Sequence, residues 1–147
     1  MSKITPIDGD RSASSVRVLV VEDFEPFRQF IRSMLQNRRE FQVICEVSDG
    51  PEAVQKAEEL HPDLILLDIG LPTLNGIEAA RRIRRVAPKS RILFLTQESS
   101  SDVVQEALSL GAAGYVLKIQ AGSDLLAAMD AVLQGKQFVS SGVAGQP

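Results

Sequence analysis

The chain has 147 residues, of which 44% are hydrophobic, and its formal net charge at pH 7 is −3. This length predicts one domain with a core of its own, and the acidic charge argues against a chain-wide attraction to nucleic acid or to an anionic membrane surface. The single cysteine excludes an internal disulfide, and no apolar stretch approaches the ~20 residues of a membrane span, so a cytoplasmic location without membrane contact is expected.

The first third of the chain predicts a leader, two strands and a helix. Residues 1–15 are rich in Ser, Asp and Gly and are interpreted as a flexible leader. The apolar run Val16–Val21 predicts a strand buried on both faces. Pro26 lies where a helix can begin, since its missing N–H is not needed there. Residues 41–47 predict a more solvated edge strand with four apolar side chains on one face: Phe41, Val43, Cys45 and Val47.

The same alternation continues to the end of the chain. The predicted strands are Leu64–Leu67, Ile92–Leu95 and Gly114–Leu117, and the predicted helices run up to Leu60, from about Ile77 to Val86, up to Leu110, and from Ser123 to Gly135. Five strand–helix units predict an α/β fold with a doubly wound parallel sheet. Residues 139–147 have the composition of a linker, so the domain is expected to span residues 16–138.

Four of the predicted strands run into polar residues of different kinds: Glu22–Asp23, Asp68, Thr96 and Lys118. Because ligands gather at the carboxyl ends of parallel strands, three carboxylates, one hydroxyl and one amine are expected to meet at one sheet edge. Carboxylates brought together need a cation to remain ionised, and Mg²⁺ is bound by such oxygens together with waters and phosphate groups. Asp68 is the candidate nucleophile, a carboxylate that would become an acyl phosphate.

Other patterns point away from competing functions. The basic run Arg81–Arg85 lies on a predicted helix and is interpreted as a solvated face, since aromatic residues are not interleaved with it. His61 is the only histidine, which excludes a histidine-based metal site or catalytic triad and leaves a cap or turn. A flavin or nucleotide site is disfavoured because the first loop is acidic. An aspartyl phosphatase would need an acid at position 70, which is glycine.

A set of residues, in this order and spacing, resembles the receiver domain of two-component response regulators: Glu22–Asp23, Asp68–Pro72, Asn75–Gly76, Thr96 and Lys118. The resemblance covers about residues 16–138. Residues Ala107–Lys118, with Leu125–Leu126 and Gly135, are similar to the subfamily with LuxR-type helix-turn-helix output domains. The resemblance implies a flavodoxin-like, five-stranded parallel sheet in the order 2-1-3-4-5, with five helices.

The resemblance also implies a chemistry for the site. Asp68 would accept a phosphoryl group from a sensor histidine kinase. Mg²⁺ would be bound by Asp23, Asp68 and the Gly70 carbonyl, and by Glu22 through a water. Beyond self-phosphotransfer and slow self-dephosphorylation, no enzymatic activity is expected.

Three further residues are assigned a role by the same resemblance. Thr96 and Lys118 would contact the phosphoryl oxygens, and Tyr115 would be the switch aromatic that turns inward as Thr96 moves. Gln97 stands where the family usually has a small residue, and we hypothesise that it slows the attack of water on the phosphorylated form. Ile119 replaces a proline that many members hold in a cis bond, and its own peptide bond is expected to be trans.

The resemblance extends to partners and output. Phosphorylation is expected to favour a homodimer, through the first and last helices or through the switch face, and to control transcription. Nothing after residue 139 has the length of a helix-turn-helix, so DNA would be bound only through an output domain outside this chain. A stand-alone or degenerate receiver that serves as a protein-binding platform remains the alternative.

Overall fold

The computed structural model describes residues 15–143. The expected leader, apart from its last residue, and residues 144–147 lie outside this range. Strands and helices alternate within it: β1 (Val16–Val21), α1 (Glu25–Leu35), β2 (Phe41–Val47), α2 (Gly50–Leu60), β3 (Leu64–Leu67), α3 (Gly76–Val86), β4 (Arg91–Thr96), α4 (Ser101–Ser109), β5 (Gly114–Leu117), a 3₁₀ turn (Lys118–Gln120), α5 (Ala121–Leu133) and β6 (Phe138–Val139).

The strands form one parallel sheet in the order β2-β1-β3-β4-β5-β6. The predicted α/β fold, the five helices and the edge position of β2 are therefore confirmed, whereas the expected count of five strands is wrong. The sixth strand has only two residues, and Val139 pairs with Tyr115 of β5. The chain after β6 stays on the domain, since Ser140 is 0% and Val143 is 3% exposed.

Helices cover both faces of the sheet, as the fully apolar central strands require. The core on one face includes residues of α1 and α5, among them Ile31, Leu35, Leu125 and Met129. The core on the other face includes residues of α2, α3 and α4, among them Ala53, Ile83, Val104 and Ala107. Side chains of β1, β3 and β4 alternate between the two cores. Packing of the sheet between two layers of helices holds the strands in place and so positions the loops that follow them.

The predicted facing of β2 is wrong in its second half. Val18 pairs with Val43 and Leu19 pairs with Cys45, so Ile44 is an extra residue in a β-bulge. Each residue added to a strand reverses the faces of those that follow it. Phe41 and Val43 accordingly pack with the α1–α5 core, whereas Cys45 and Val47 pack on the other side.

Local signals explain most of the helix ends. The side chains of Asp49 and Asn75 accept hydrogen bonds at the starts of α2 and α3, and His61 ends α2 in the left-handed conformation with φ 45°. Helix α5 begins at Ala121, not at Ser123 as expected, because the 3₁₀ turn leads directly into it. The peptide bond before Ile119 is trans, as expected. No helix within residues 15–143 is long and apolar enough to cross a membrane.

Candidate functional site

A cavity of about 500 Å³ opens at the carboxyl ends of the central strands. The loops that follow β1, β3, β4 and β5 bring together all the expected polar residues in its lining, which comprises Glu22, Asp23, Phe24, Phe27, Asp68, Gly70, Thr96, Gln97, Glu98 and Lys118. Sequence reasoning did not place Phe24, Phe27 or Glu98 in this cavity. Phe24 and Glu98 each lie within two residues of a predicted site residue, which is a signal that could have found them.

The three carboxylates expected to meet form a cluster. One oxygen from each of Glu22, Asp23 and Asp68 lies within 4.8 Å of the others. Glu22 and Asp68 are buried, with 2% and 5% of their surface exposed, whereas Asp23 is exposed. Burial raises the pKa of Glu22, and the negative charge of Asp68 adds to this effect, while a hydrogen bond from Lys118 opposes it.

Lys118 provides a cation inside this cluster. Its Nζ lies 2.9 Å from Glu22 Oε1 and donates to Asp68 Oδ2 at 3.1 Å. The same Nζ lies 4.8 Å from the centre of the Phe27 ring, within cation–π range. Burial lowers the pKa of Lys118, but the hydrogen bond to Glu22 and the charge of Asp68 outweigh it and raise the pKa overall. Lys118 therefore stays charged and links the loops after β1, β3 and β5.

The donor set of this cluster fits a hard divalent cation. Carboxylate oxygens are the ligands that Mg²⁺ prefers, and the exposed Asp23 is accessible from solvent. Lys118 pairs with Glu22 and Asp68, whereas Asp23 has no hydrogen bond or ion pair within residues 15–143. Three carboxylates and one ammonium leave a formal charge of −2, which a divalent cation would neutralise.

The loop after β3 holds Asp68 in a tight turn. The Asp68 N–H donates to the Val21 carbonyl at 3.1 Å, and the Gly76 N–H donates to the Ile69 carbonyl at 2.8 Å. Gly76 lies so close to this loop that a Cβ atom added to it would overlap the Asp68 carbonyl oxygen. Gly70 lines the cavity, and a Cβ atom added to it would meet open space.

Thr96 and Tyr115 both contact the main chain of Glu98. The Glu98 N–H donates to Thr96 Oγ1 at 3.3 Å, and the Tyr115 hydroxyl donates to the Glu98 carbonyl at 2.7 Å. The Tyr115 side chain is fully buried, and its ring lies 6.0 Å from that of Phe94. Burial, followed by the charges of Glu98 and Asp68, raises the pKa of Tyr115. The loop after β4 is thus tied to β5 through a single residue.

The two patterns set aside in the sequence lie outside this cavity. Arg81 forms ion pairs with Glu78 and Glu106 on the surface of α3 and α4. Arg82 pairs with Glu78 as well, and Ile83, which interrupts the basic run, is buried. His61 is the exposed cap of α2.

Comparisons with known proteins agree with this geometry. Residues 18–130 match the family described as "Response regulator receiver domain". The transcriptional regulatory protein LnrK of Bacillus subtilis (strain 168) is 36% identical over 120 residues, which make up 82% of this chain and 54% of LnrK. The chain thus spans about half the length of this curated relative.

Solved structures of receiver domains have the same fold. A two-component response regulator of the LuxR family from Aurantimonas sp. SI85-9A1 superimposes with a TM-score of 0.84 at 34% identity, covering 89% of this chain and 94% of that one. The isolated receiver domain of RcsB from Salmonella enterica serovar Typhimurium, in the presence of the phosphomimetic BeF3-, gives 0.83 at 26% identity and covers 88% and 96%. On this evidence the chain belongs to the response regulator receiver domain family and has relatives of the LuxR type.

Proposed function

We propose that this receiver domain is a phosphorylation-dependent switch in which Asp68 accepts a phosphoryl group from a sensor histidine kinase. The observation that carries the proposal is the placement of Asp68. It is buried at the base of an open cavity, within 4.8 Å of two other carboxylate oxygens and 3.1 Å from the Lys118 ammonium. A carboxylate in this setting can act as a nucleophile, beside groups that can bind a phosphoryl group and a divalent cation.

The transfer forms one bond and breaks one. A carboxylate oxygen of Asp68 attacks the phosphorus of a phosphohistidine, the new O–P bond gives an acyl phosphate, and the P–N bond breaks to release the histidine. Lys118 lies beside Asp68 and would stabilise charge on the transferred phosphoryl oxygens. The Thr96 hydroxyl, whose oxygen accepts from Glu98, keeps its own proton to donate to one of those oxygens.

Mg²⁺ is the cofactor that these residues would hold. Asp23, Asp68 and the Gly70 carbonyl would bind it directly, and Glu22 would do so through a water. When bound, it would neutralise the repulsion between the carboxylates and the incoming phosphoryl group. Glu22 is held back from direct ligation by Lys118 and by the Phe24 N–H, which donates to Glu22 Oε2 at 3.1 Å.

The relay to the surface runs through Glu98. Movement of Thr96 toward the phosphoryl group would pull the loop whose main chain also accepts from Tyr115. Tyr115 is already buried in this structure, with its hydroxyl bonded to the Glu98 carbonyl, so a shift of the loop would act on β5 through that hydrogen bond. A new anion that biases a two-state loop is the common mechanism of such switches.

The wider function follows from the relatives. We propose that the protein acts in the cytoplasm, forms a homodimer on phosphorylation and controls transcription through a DNA-binding domain joined to residues 139–147. The dimer is expected to use α1 and α5, or the switch face formed by α4, β5 and α5. Sedimentation of the phosphorylated and unmodified forms at the same rate would contradict this part of the proposal.

The acceptor is located by incubating the protein with acetyl phosphate and Mg²⁺ and mapping the phosphorylated peptide. The adduct is expected on Asp68 and is expected to be lost in Asp68→Asn. Asp63→Asn is the matched control, because Asp63 precedes the other end of the same strand and is exposed. A folded protein that takes up no phosphoryl group would instead favour the protein-binding platform.

A further inference from the structure

We propose that Arg28 is a positioning residue for the metal ligand Asp23, a role that no motif of the sequence assigns to it. The inference rests on the proposed function, because it concerns the same cation site. Arg28 lies on α1 outside the cavity lining. It would act through the main chain of the acidic loop and not by touching the cation.

The guanidinium of Arg28 joins several segments around that loop. Its Nη1 donates to the Glu22 carbonyl at 2.7 Å and to Ser48 Oγ at 3.3 Å. Its Nε lies 3.6 Å from Glu46 Oε1, and its Nη2 forms an ion pair with Glu25. Only 19% of the side chain is exposed. A rigid, planar group with five donors suits such a multiple contact.

The contact with the Glu22 carbonyl helps to fix the main chain at Asp23, together with the hydrogen bonds of the Glu22 N–H to the Val47 carbonyl and of the Phe24 N–H to Glu22 Oε2. The Glu22 carbonyl belongs to the planar peptide group that joins Glu22 and Asp23, so fixing its oxygen also fixes the Asp23 nitrogen and Cα. The Asp23 side chain forms no hydrogen bond or ion pair within residues 15–143 that could orient it instead. Its placement near Asp68 therefore depends on the main chain before it, which Arg28 holds.

The β-bulge at Ile44 supplies the support for Arg28. The extra residue turns Glu46 toward α1, where it also pairs with Arg32 at 2.6 Å. Without the bulge, the alternation of the strand would direct Glu46 to the opposite face. An irregularity in the edge strand thus contributes to the geometry of the acidic loop.

Removing Arg28 would affect the affinity for Mg²⁺ in two opposite ways. Loss of a positive charge near three carboxylates would by itself tighten the binding of Mg²⁺. Loss of orientation would weaken it, since outer partners of metal ligands typically contribute roughly 10–100-fold to metal affinity. The direction of the change therefore separates a positioning role from a simple charge effect.

The test is a titration of the unphosphorylated protein with Mg²⁺, followed through the backbone amide signals of the loops at residues 22–24 and 68–70. Arg28→Met is expected to weaken Mg²⁺ binding roughly 10-fold. Arg28→Lys keeps the charge but places its donors on a single nitrogen, so its affinity is expected to lie between those of Arg28→Met and the wild type. Arg32→Met is the matched control, because Arg32 pairs with the same Glu25 and Glu46 but does not contact the Glu22 carbonyl in the described structure.

The possible results lead to different conclusions. Equal or tighter binding in Arg28→Met, or the same loss in Arg32→Met, would overturn the positioning role while leaving the cation site intact. No response of the wild type to Mg²⁺ would overturn the proposed cation site and the role of Arg28 with it. If Arg28→Met does not fold, the comparison of Arg28→Lys with Arg32→Lys decides in the same way.

Discussion

Glu98 connects the two residues expected to move on phosphorylation, although neither its charge nor its side chain is needed for this. Its N–H donates to Thr96 and its carbonyl accepts from Tyr115. The role of such a residue depends on its position and not on its type. The sequence places Glu98 two residues after Thr96, but its patterns identify side chains that carry chemistry and do not reveal a main-chain bridge of this kind.

The titration of Tyr115 gives a prediction about pH. The folded state raises the pKa of Tyr115 above its ordinary value of 10.0, chiefly through burial. At higher pH the unfolded chain releases a proton that the folded chain retains, so the free energy of unfolding is expected to fall by up to about 1.4 kcal/mol per pH unit from this group. Tyr115 is the only tyrosine and the chain has no tryptophan, so its ultraviolet absorbance reports ionisation directly.

Tyrosinate absorbance is expected to appear only together with unfolding, and Tyr115→Phe is expected to lack this contribution to the pH dependence. Half-ionisation near pH 10.0 in a protein that is still folded by circular dichroism would contradict the burial of this hydroxyl.

Gln97 gives a second prediction about a single side chain. It is exposed and lines the cavity next to Thr96. Gln97→Ala is expected to admit water more easily and to shorten the lifetime of the phosphorylated form, measured by intact mass after the phosphodonor is removed. An unchanged or longer lifetime would show that Gln97 does not shield the acyl phosphate.

Two glycines, one in the loop after β3 and one at the first position of α3, have different surroundings. In Gly76→Ala the new Cβ would overlap the Asp68 carbonyl oxygen and lie 2.7 Å from the Ile69 Cα, whereas a Cβ added at Gly70 would have no atom within 4 Å beyond its chain neighbours. Gly76→Ala is expected to lower the free energy of unfolding by about 1–3 kcal/mol, since the backbone atoms it meets must shift. Gly70→Ala is expected to stay within ~0.5 kcal/mol of the wild type in urea denaturation. Equal effects would mean that the loop is not packed as described.

The segment after α5 gives the next prediction. The Leu117 N–H donates to Ser140 Oγ at 3.2 Å, and that hydroxyl donates to Asp124 Oδ2 at 2.8 Å. Ser140→Ala removes the side-chain partner of the buried Leu117 N–H and one of the hydrogen bonds of the half-buried Asp124, which is expected to cost about 1–3 kcal/mol of unfolding free energy. Ser141→Ala, at the exposed neighbouring position, is expected to be nearly neutral. A neutral Ser140→Ala would show that the two hydrogen bonds of its hydroxyl do not contribute to the stability of the domain.

The five longer strands and all five helices could be predicted because each has its own pattern of polarity, cap or breaker. The sixth strand could not, since two residues in a segment rich in Ser and Gly have no period, and the neighbouring strand β5 supplies the pairing. The bulge at Ile44 was missed for a similar reason: every residue around it suits a strand, and only pairing with β1 reveals the extra one.

The residues of the site could be predicted from the sequence, whereas the contacts that hold them in place could not. Parallel strands bring their carboxyl ends to one edge, so the meeting of Glu22, Asp23, Asp68, Thr96 and Lys118 followed from where the strands end. The contacts that hold this set, such as Arg28 on the Glu22 carbonyl and Lys118 against Phe27, join helix α1 to the loops after β1 and β5. They depend on the packing of α1 against the sheet, which local patterns do not specify.

The molecule as a whole combines a rigid sheet with a charged edge. Two apolar cores fix the strands, and the polar residues that follow them meet at a site with a formal charge of −2. Such an arrangement is suited to bind a cation and then a phosphoryl group. A shift of the loop after β4 would then reach β5 through the hydrogen bond between Glu98 and Tyr115.

The most direct test is the intact mass of the protein after incubation with acetyl phosphate at increasing Mg²⁺ concentrations, beside Asp68→Asn and Asp23→Asn. We predict one phosphoryl adduct whose rate of formation rises with Mg²⁺, no adduct in Asp68→Asn, and a higher Mg²⁺ requirement in Asp23→Asn. An adduct that forms equally well without Mg²⁺, or that persists in Asp68→Asn, would contradict a cation-assisted phosphoacceptor site at the end of β3.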